Sequence, residues 1–217
     1  LSELKKQASA APIPPDFTAS LKKPGVRIIA ELKKASPSKG LIRENFDFEA
    51  CATELEEAGA AALSVLTERN YFLGSLDFLR KTVERVKIPV LRKDFIFDPY
   101  QIYEAKAAGA SAVLLIAAML DDQKLHALTE VAGETGLAVL GEAHDEREVE
   151  RLLRAPVGVI GVNARDLRTF QTDLKRVEKL IGMIPSDRVA VAESAIKNRD
   201  DIRSLRAAGA GAFLIGE

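Results

Sequence analysis

Residues 108–116 read Ala-Gly-Ala-Ser-Ala-Val-Leu-Leu-Ile, and the same cadence returns at Ala58-Gly59-Ala60-Ala61-Ala62-Leu63 and at Ala208-Gly209-Ala210-Gly211-Ala212-Phe213. In each copy a helical pattern comes first, the glycine supplies the left-handed cap that stops it, and an apolar run follows. Gly59 and Gly109 lie 50 residues apart and Gly109 and Gly209 lie 100 apart. Both are multiples of about 25 residues, the length of one strand, one helix and two short loops. The repeating unit is therefore βα. Reading outward from these copies predicts buried parallel strands at Val26–Leu32, Ala62–Leu66, Pro89–Arg92, Ala112–Ala117, Leu137–Gly141, Val157–Val162, Arg188–Ala192 and Gly211–Ile215. Helical spacing fills the stretches between them, as in Tyr100–Ala105 and Glu146–Leu153.

Alternating strands and helices suit either an open doubly wound sheet or a closed (β/α)8 TIM barrel. The open sheet would normally carry a glycine-rich phosphate loop after its first strand, and none stands there. Polar residues also collect at strand C-termini: Glu31 and Lys33 end strand one, Lys93 strand three, Glu142 strand five, Asn163 strand six, Glu193 and Ser194 strand seven. Spread along an open sheet they would form a row, whereas closure gathers them round one mouth, so a single-domain barrel is predicted. Side chains alternate along a strand, which puts Glu31 and Lys33 on the face of Ile29 and points both charges into that mouth. Residues 21–217 are expected to form the barrel. Residues 1–20, with Pro12, Pro14 and Pro15, are expected to be a helix remnant and a strap capping the floor. The sequence stops at Glu217, directly after strand eight, and the eighth helix is expected to be missing.

Composition excludes several function classes. Lys and Arg number 31 against 32 Asp and Glu, a net charge of −1, which lacks the basic footprint of a nucleic-acid binder. The longest apolar run, Ala112–Leu120, is nine residues, against roughly 20 for a membrane span. The first residues lack the apolar stretch of a signal peptide, and Cys51 is the single cysteine. A cytoplasmic enzyme acting on a small molecule, with no nucleic-acid or membrane partner, is the expectation.

The chemistry-bearing stretches lie at the strand exits. In Ala30-Glu31-Leu32-Lys33-Lys34-Ala35-Ser36-Pro37-Ser38, a carboxylate and an amine end a strand and two hydroxyls flank a proline; such charges are costly at a barrel mouth unless paired or used. Val90-Leu91-Arg92-Lys93-Asp94-Phe95 runs from apolar strand into three charges and an aromatic. Lys93 rather than Arg92 is expected to point inward, with desolvation and neighbouring cations lowering its pKa to suit a general acid. Leu140-Gly141-Glu142-Ala143-His144 offers a base. His126 and His144, the two histidines, have no partners at metal-ligand spacing, so no metal is expected. Val162-Asn163-Ala164-Arg165-Asp166-Leu167 offers an amide and a guanidinium suited to an anion. The exits of strands seven and eight, Glu193-Ser194-Ala195 and Ile215-Gly216-Glu217, are where barrels commonly bind phosphate, so a phosphorylated substrate is implied.

Taken together, Ile28-Ile29-Ala30-Glu31-Leu32-Lys33-Lys34-Ala35-Ser36-Pro37-Ser38, Leu63–Glu68, Tyr71–Leu76, Leu91–Ile96, Asn163–Leu167 and Ala192-Glu193-Ser194 resemble the motifs of the indole-3-glycerol-phosphate synthases, barrel enzymes of tryptophan biosynthesis. The resemblance covers residues 20–217. It implies a lyase that closes the ring of 1-(2-carboxyphenylamino)-1-deoxyribulose 5-phosphate with loss of carbon dioxide and water. It implies no metal or organic cofactor, and other tryptophan-pathway enzymes as partners. Residue by residue, it makes Lys93 the acid for ring closure and Lys33 a second acid or anion partner. Glu31 and Glu142 become the carboxylates for proton removal and for fixing those lysines. Asn163, Glu193 and Ser194 hold the sugar and support the lysines, Ser36, Ala195 and Gly216 serve the phosphate, and Phe72 and Phe95 flank the aromatic ring, with Arg165 a further anion partner. The chain departs from the family pattern at Ala195, where glycine is usual, and at Gly141 and Ala143, where valine is common; the latter pair is expected to slacken packing around Glu142. Two other readings compete: a phosphosugar barrel isomerase such as phosphoribosylanthranilate isomerase, which would want a cysteine acid that Cys51 is poorly placed to supply, and a non-catalytic barrel that binds phosphometabolites.

Overall fold

The structure, a computed structural model, describes residues 1–37, 40–42, 46–164, 173–194 and 196–216. Eight parallel strands close into a barrel: β1 (Arg27–Leu32), β2 (Ala62–Leu66), β3 (Val90–Lys93), β4 (Ala112–Ile116), β5 (Ala138–Ala143), β6 (Val159–Asn163), β7 (Val189–Glu193) and β8 (Ala212–Ile215). Closure is made by β1, which pairs with β8 through Arg27↔Ala212 to Ala30↔Ile215 and with β2 through Ile29↔Ala62 to Leu32↔Val65. That ring excludes the open sheet. Beside the mouth, Ala35–Ser36 and Gly40–Leu41 form a short antiparallel ladder.

Helices α3 (Phe48–Glu57), α4 (Leu76–Arg85), α5 (Pro99–Ala107), α6 (Asp122–Glu134), α7 (Glu146–Arg154), α8 (Leu174–Ile181) and α9 (Arg199–Ala207) alternate with the strands, preceded by α1 (Ser2–Ala10) and α2 (Phe17–Lys22). Among the described residues, each α-helix after β1 begins on a residue whose side chain accepts a hydrogen bond from its first-turn amides: Asp47, Ser75, Asp98, Asp121, Asp145, Asp173 and Asn198. Such caps are worth about 1 kcal/mol each and fix where every loop ends. The repeated glycines close the helices as read from sequence: Gly59, Gly109 and Gly209 have φ of +89°, +85° and +114°, a region that disfavours side chains.

The barrel interior is apolar below the mouth, with Ile29, Leu91, Leu114, Leu140, Val159, Val191 and Leu214 buried together. Phe17 and Leu21 of α2 belong to the same cluster and close the floor, where Ser20 Oγ donates to the Ala61 carbonyl at 2.6 Å. The sequence reading gave this region one helix and an extended strap, yet α2 follows the prolines and runs across residue 20. Its Asp16 cap accepts from the Ala19 amide, and six residues are too few for periodicity to reveal. α1 packs on α5, with the Lys5 ammonium 4.9 Å over the Tyr103 ring and Lys106 Nζ donating to the Pro12 carbonyl at 3.1 Å.

Strand ends differ from the sequence reading in one consequential way. β3, β5, β6 and β7 run one or two residues further, because Lys93 pairs with Leu66, Glu142 with Ile116, and Asn163 with Glu193. The charged residues therefore sit within the hydrogen-bonded ladder, not on the loops that follow. Among the described residues no helix is long and apolar enough to cross a membrane.

Candidate active site

Successive inward positions on each strand carry the apolar core upward until it turns polar at the C-terminal rim. Glu31 follows Ile29, Lys93 follows Leu91, Glu142 follows Leu140, and Glu193 follows Val191, so period-two alternation places all four in one layer. The Glu31 carboxylate joins the lysines: Oε1 is 2.9 Å from Lys33 Nζ and Oε2 is 3.4 Å from Lys93 Nζ. Their side chains are 5%, 9% and 18% exposed respectively, enough burial for the pairing to be needed. Across the mouth, Glu142 Oε1 accepts from Asn163 Nδ2 at 3.2 Å and lies 3.2 Å from His144 Nε2. His144 Nδ1 stands 3.2 Å from Glu148 Oε2, which also accepts the His144 backbone N–H at 2.7 Å.

Electrostatics sorts these groups into donors and acceptors. Burial opposes ionisation of Glu31, but the Lys93 and Lys33 ammoniums win and hold its carboxyl below the ordinary range. Burial likewise opposes the charge on Lys93, yet Glu31, Glu142 and Glu193 raise its pKa above the usual lysine value. This reverses the sequence expectation of a lowered value, because three carboxylates from β1, β5 and β7 surround the amine where sequence neighbours had suggested cations. Glu142, despite its burial, is held down to about 2 by His144, Lys93 and Asn163. Burial also works against the His144 cation, but Glu142 and Glu148 raise it to about 10. Glu193 goes the other way: burial and then repulsion from Glu142 push it well above the carboxylate range, against the pull of Lys93. One mouth thus holds two ammoniums, two ionised carboxylates, Glu31 and Glu142, and in Glu193 a carboxyl that keeps its proton.

Two glycines make room for this layer. A Cβ on Gly161 of β6 would lie 2.0 Å from Glu193 Oε1, and one on Gly216 would lie 2.5 Å from Glu31 Oε1. Ser64, whose Cα pairs with Glu31 in register, is buried on the inward face with its hydroxyl lacking a hydrogen-bond partner among the described residues.

The rim is shaped by the loops. Ser36 is buried in the short ladder after β1, and Ser194, half-buried after β7, has φ of +63°, a strained setting for a residue with a side chain. The Phe72 and Phe95 rings stand 6.3 Å apart between centroids, tilted by 54°. Phe72 is fixed by Glu68, whose carboxylate accepts the backbone N–H groups of Asn70, Tyr71 and Phe72. Phe95 is fixed by α5, where Gln101 Nε2 donates to its carbonyl at 2.9 Å. Behind β3, Arg92 points outward as expected but is buried: it binds Thr67 Oγ1 at 3.1 Å, Asp94 Oδ2 at 3.0 Å, Glu104 Oε2 at 2.8 Å and the Gln101 carbonyl at 2.9 Å.

The structure therefore brings Glu31, Lys33, Lys93, Glu142, Asn163 and Glu193 together, with Ser36, Phe72, Phe95, Ser194 and Gly216 around them. Arg165 and Ala195 lie outside the described residues. Sequence reasoning gave no role to His144, Glu148, Glu68 or Gly161. A signal existed for Gly161, because a strand-interior glycine two residues before Asn163 marks a close approach on the same face. The expected slack at Gly141 is absent: a Cβ there would lie 2.7 Å from Leu152 Cδ2, so α7 already fills the space.

Comparison with known proteins adds independent findings. The chain matches the family described as indole-3-glycerol phosphate synthase over residues 1–217. It is 51% identical over 205 residues to the indole-3-glycerol phosphate synthase of Acetivibrio thermocellus, covering 94% of this chain and 79% of that one. It is 48% identical over 217 residues to the enzyme of that name from Rhodopirellula baltica, covering 100% and 84%. Among solved structures, the N-acetylmannosamine-6-phosphate 2-epimerase from Clostridium perfringens superposes with a TM-score of 0.67 at 13% identity, over 88% of this chain and 86% of that one. Thiamine phosphate pyrophosphorylase from Pyrococcus furiosus gives 0.62 at 16% identity, over 92% and 87%. At such identities these two show the fold alone.

Proposed function

The chain belongs to the indole-3-glycerol phosphate synthase family, and we propose that the layer of charges at its barrel mouth closes the indole ring. The substrate is 1-(2-carboxyphenylamino)-1-deoxyribulose 5-phosphate, and the class is a carbon–carbon lyase, a carboxy-lyase of tryptophan biosynthesis. The ring carbon bearing the carboxylate attacks the ketone carbon, and the ketone oxygen takes a proton to become a hydroxyl. Carbon dioxide then leaves, its bonding electrons returning to the ring. Protonation expels the hydroxyl as water, and loss of a C–H proton completes the pyrrole double bond.

Each step needs a group that the mouth holds in the required state. Lys93, kept protonated by the carboxylates around it, is the donor to the ketone oxygen, and Lys33, its neighbour across Glu31, donates to the leaving hydroxyl or pairs with the departing carboxylate. Glu142, ionised despite burial, takes the C–H proton. Glu31 fixes both lysines. Asn163, Glu193 and Ser194 hold the sugar hydroxyls, and Phe72 and Phe95 flank the aromatic ring. Ser36, Ala195 and Gly216 receive the phosphate, with Arg165 a further anion partner. Residues 1–22, ending in α2, serve as the floor closure and the barrel that follows as the catalytic unit. We place the protein in the cytoplasm with the other tryptophan-pathway enzymes.

The observation that carries this reading is the triangle of Glu31 on β1, Lys33 just after it and Lys93 on β3, across the mouth from the ionised Glu142 on β5. Mixing the protein with the substrate and following indole fluorescence tests it. A rising signal that Lys93→Ala abolishes is the expected result; tight substrate binding without any signal would return the non-catalytic reading.

A further inference from the structure

His144 is the one imidazole at the mouth, and it stands between two carboxylates from different elements. Its Nε2 lies 3.2 Å from Glu142 Oε1 at the end of β5, and its Nδ1 lies 3.2 Å from Glu148 Oε2 on the first turn of α7. Nδ1 is hydrogen-bonded to Glu148, whereas Nε2 makes no aligned hydrogen bond and meets Glu142 as a close charge contact; a carboxylate oxygen against each nitrogen favours the doubly protonated ring. The ring is 12% exposed and Glu148 15%; this is an enclosed pair, not a solvated one. Glu148 is itself tied down, since it accepts the His144 backbone N–H at 2.7 Å and its own amide donates to the Asp145 cap at 2.8 Å.

We propose that His144, held by Glu148, is a positioning residue that fixes the Glu142 carboxylate and keeps it ionised for proton removal. The inference rests on Glu142 being the base, as proposed above. The other groups facing Glu142 are Asn163 on β6, Lys93 on β3 and Glu193 on β7. Glu193, which keeps its proton, brings no cation to Glu142, and Lys93 is shared with Glu31, so the imidazolium is the second cation that holds the Glu142 carboxylate. Its charge supports that carboxylate in addition to Lys93, so the ionised state of Glu142 does not rest on the ammonium that serves as donor. The directions of the shifts agree: Glu142 is depressed and His144 raised.

The test is a pH–rate profile of ring closure for wild type, His144→Asn, Glu148→Gln and Glu142→Gln, with kcat and KM separated, together with an NMR titration of the His144 ring. An opposite charge within about 4–6 Å moves a carboxyl by roughly 1–3 pH units. His144→Asn should therefore move the acid limb of kcat upward by about one unit or more. That lowers kcat at least about tenfold on the acid side, while KM changes little. In wild type the ring should titrate near 10, and in Glu148→Gln it should titrate lower. An unmoved acid limb in His144→Asn, with Glu142→Gln inactive, overturns this proposal alone, as does a wild-type ring that is neutral at pH 7. Full turnover in Glu142→Gln overturns the reading of Glu142 as base, and this proposal with it.

Discussion

Gly161→Ala is the sharpest perturbation the mouth offers, because it adds one methyl and no charge. The new Cβ would sit 2.0 Å from Glu193 Oε1, 3.1 Å from Glu193 Cδ and 3.3 Å from Leu140 Cδ1. Real Cβ atoms essentially never approach closer than 3.0 Å, so the carboxyl must retreat by about 1 Å. It is the far end of a flexible side chain, and overpacking of this kind costs about 1–3 kcal/mol. The low end, about 1 kcal/mol, lowers the melting temperature of a domain this size by roughly 2–4 °C. Activity should fall far more, since a displacement of about 1 Å at a reacting centre can cost roughly 100-fold. Indole formation and thermal melting measured on the same preparation separate the two effects. Gly158, on the approach to the same strand with nothing within 4 Å of its Cβ position, is the control, and Gly158→Ala should leave kcat unchanged. A Gly161→Ala protein with kcat within about threefold of wild type would refute the claim that the placement of Glu193 matters to the reaction.

Four further outcomes follow from the same geometry. Glu31→Gln removes the anion shared by Lys33 and Lys93, so the Lys93 pKa should fall and the alkaline limb of the pH–rate profile should move to lower pH. Acid should destabilise the fold: Glu31 and Glu142 have folded pKa values below their ordinary 4.5, so they contribute stability above that value and lose it as pH falls toward the folded value of about 2 for Glu142. Urea unfolding at pH 7 and pH 3 should show a drop that is smaller in Glu142→Gln. At the other extreme, the His144 contribution is complete below 6.5 and is lost as pH rises through about 10. Arg92→Met strands Asp94 and Glu104 behind the mouth and should cost about 3–5 kcal/mol, seen as a lower melting temperature.

Much of this architecture was legible in the sequence for a simple reason: the βα repeat, its glycine caps and the polar strand ends are local signals. Period-two alternation sufficed to aim Glu31 and Lys93 inward, and the exits of β1, β3, β5, β6 and β7 sufficed to gather the layer. What escaped depends on contacts between distant elements. The state of Lys93 is set by Glu31, Glu142 and Glu193, none of which neighbours it in sequence. The close packing behind Gly141 is supplied by Leu152 of α7, so a missing side chain on one element says nothing until its neighbour is placed. His144 and Glu148 are four residues apart across a strand-to-helix turn, a relation that neither strand nor helix periodicity reveals.

A single-turnover experiment that follows carbon dioxide release and indole absorbance as separate signals tests the central assignment most directly. With wild type both signals should appear. Lys93→Met should release neither, since no ring forms without protonation of the ketone, and Glu142→Gln should release carbon dioxide while indole lags behind. Carbon dioxide release at the wild-type rate from Lys93→Met would contradict the assignment of the ring-closing acid to β3.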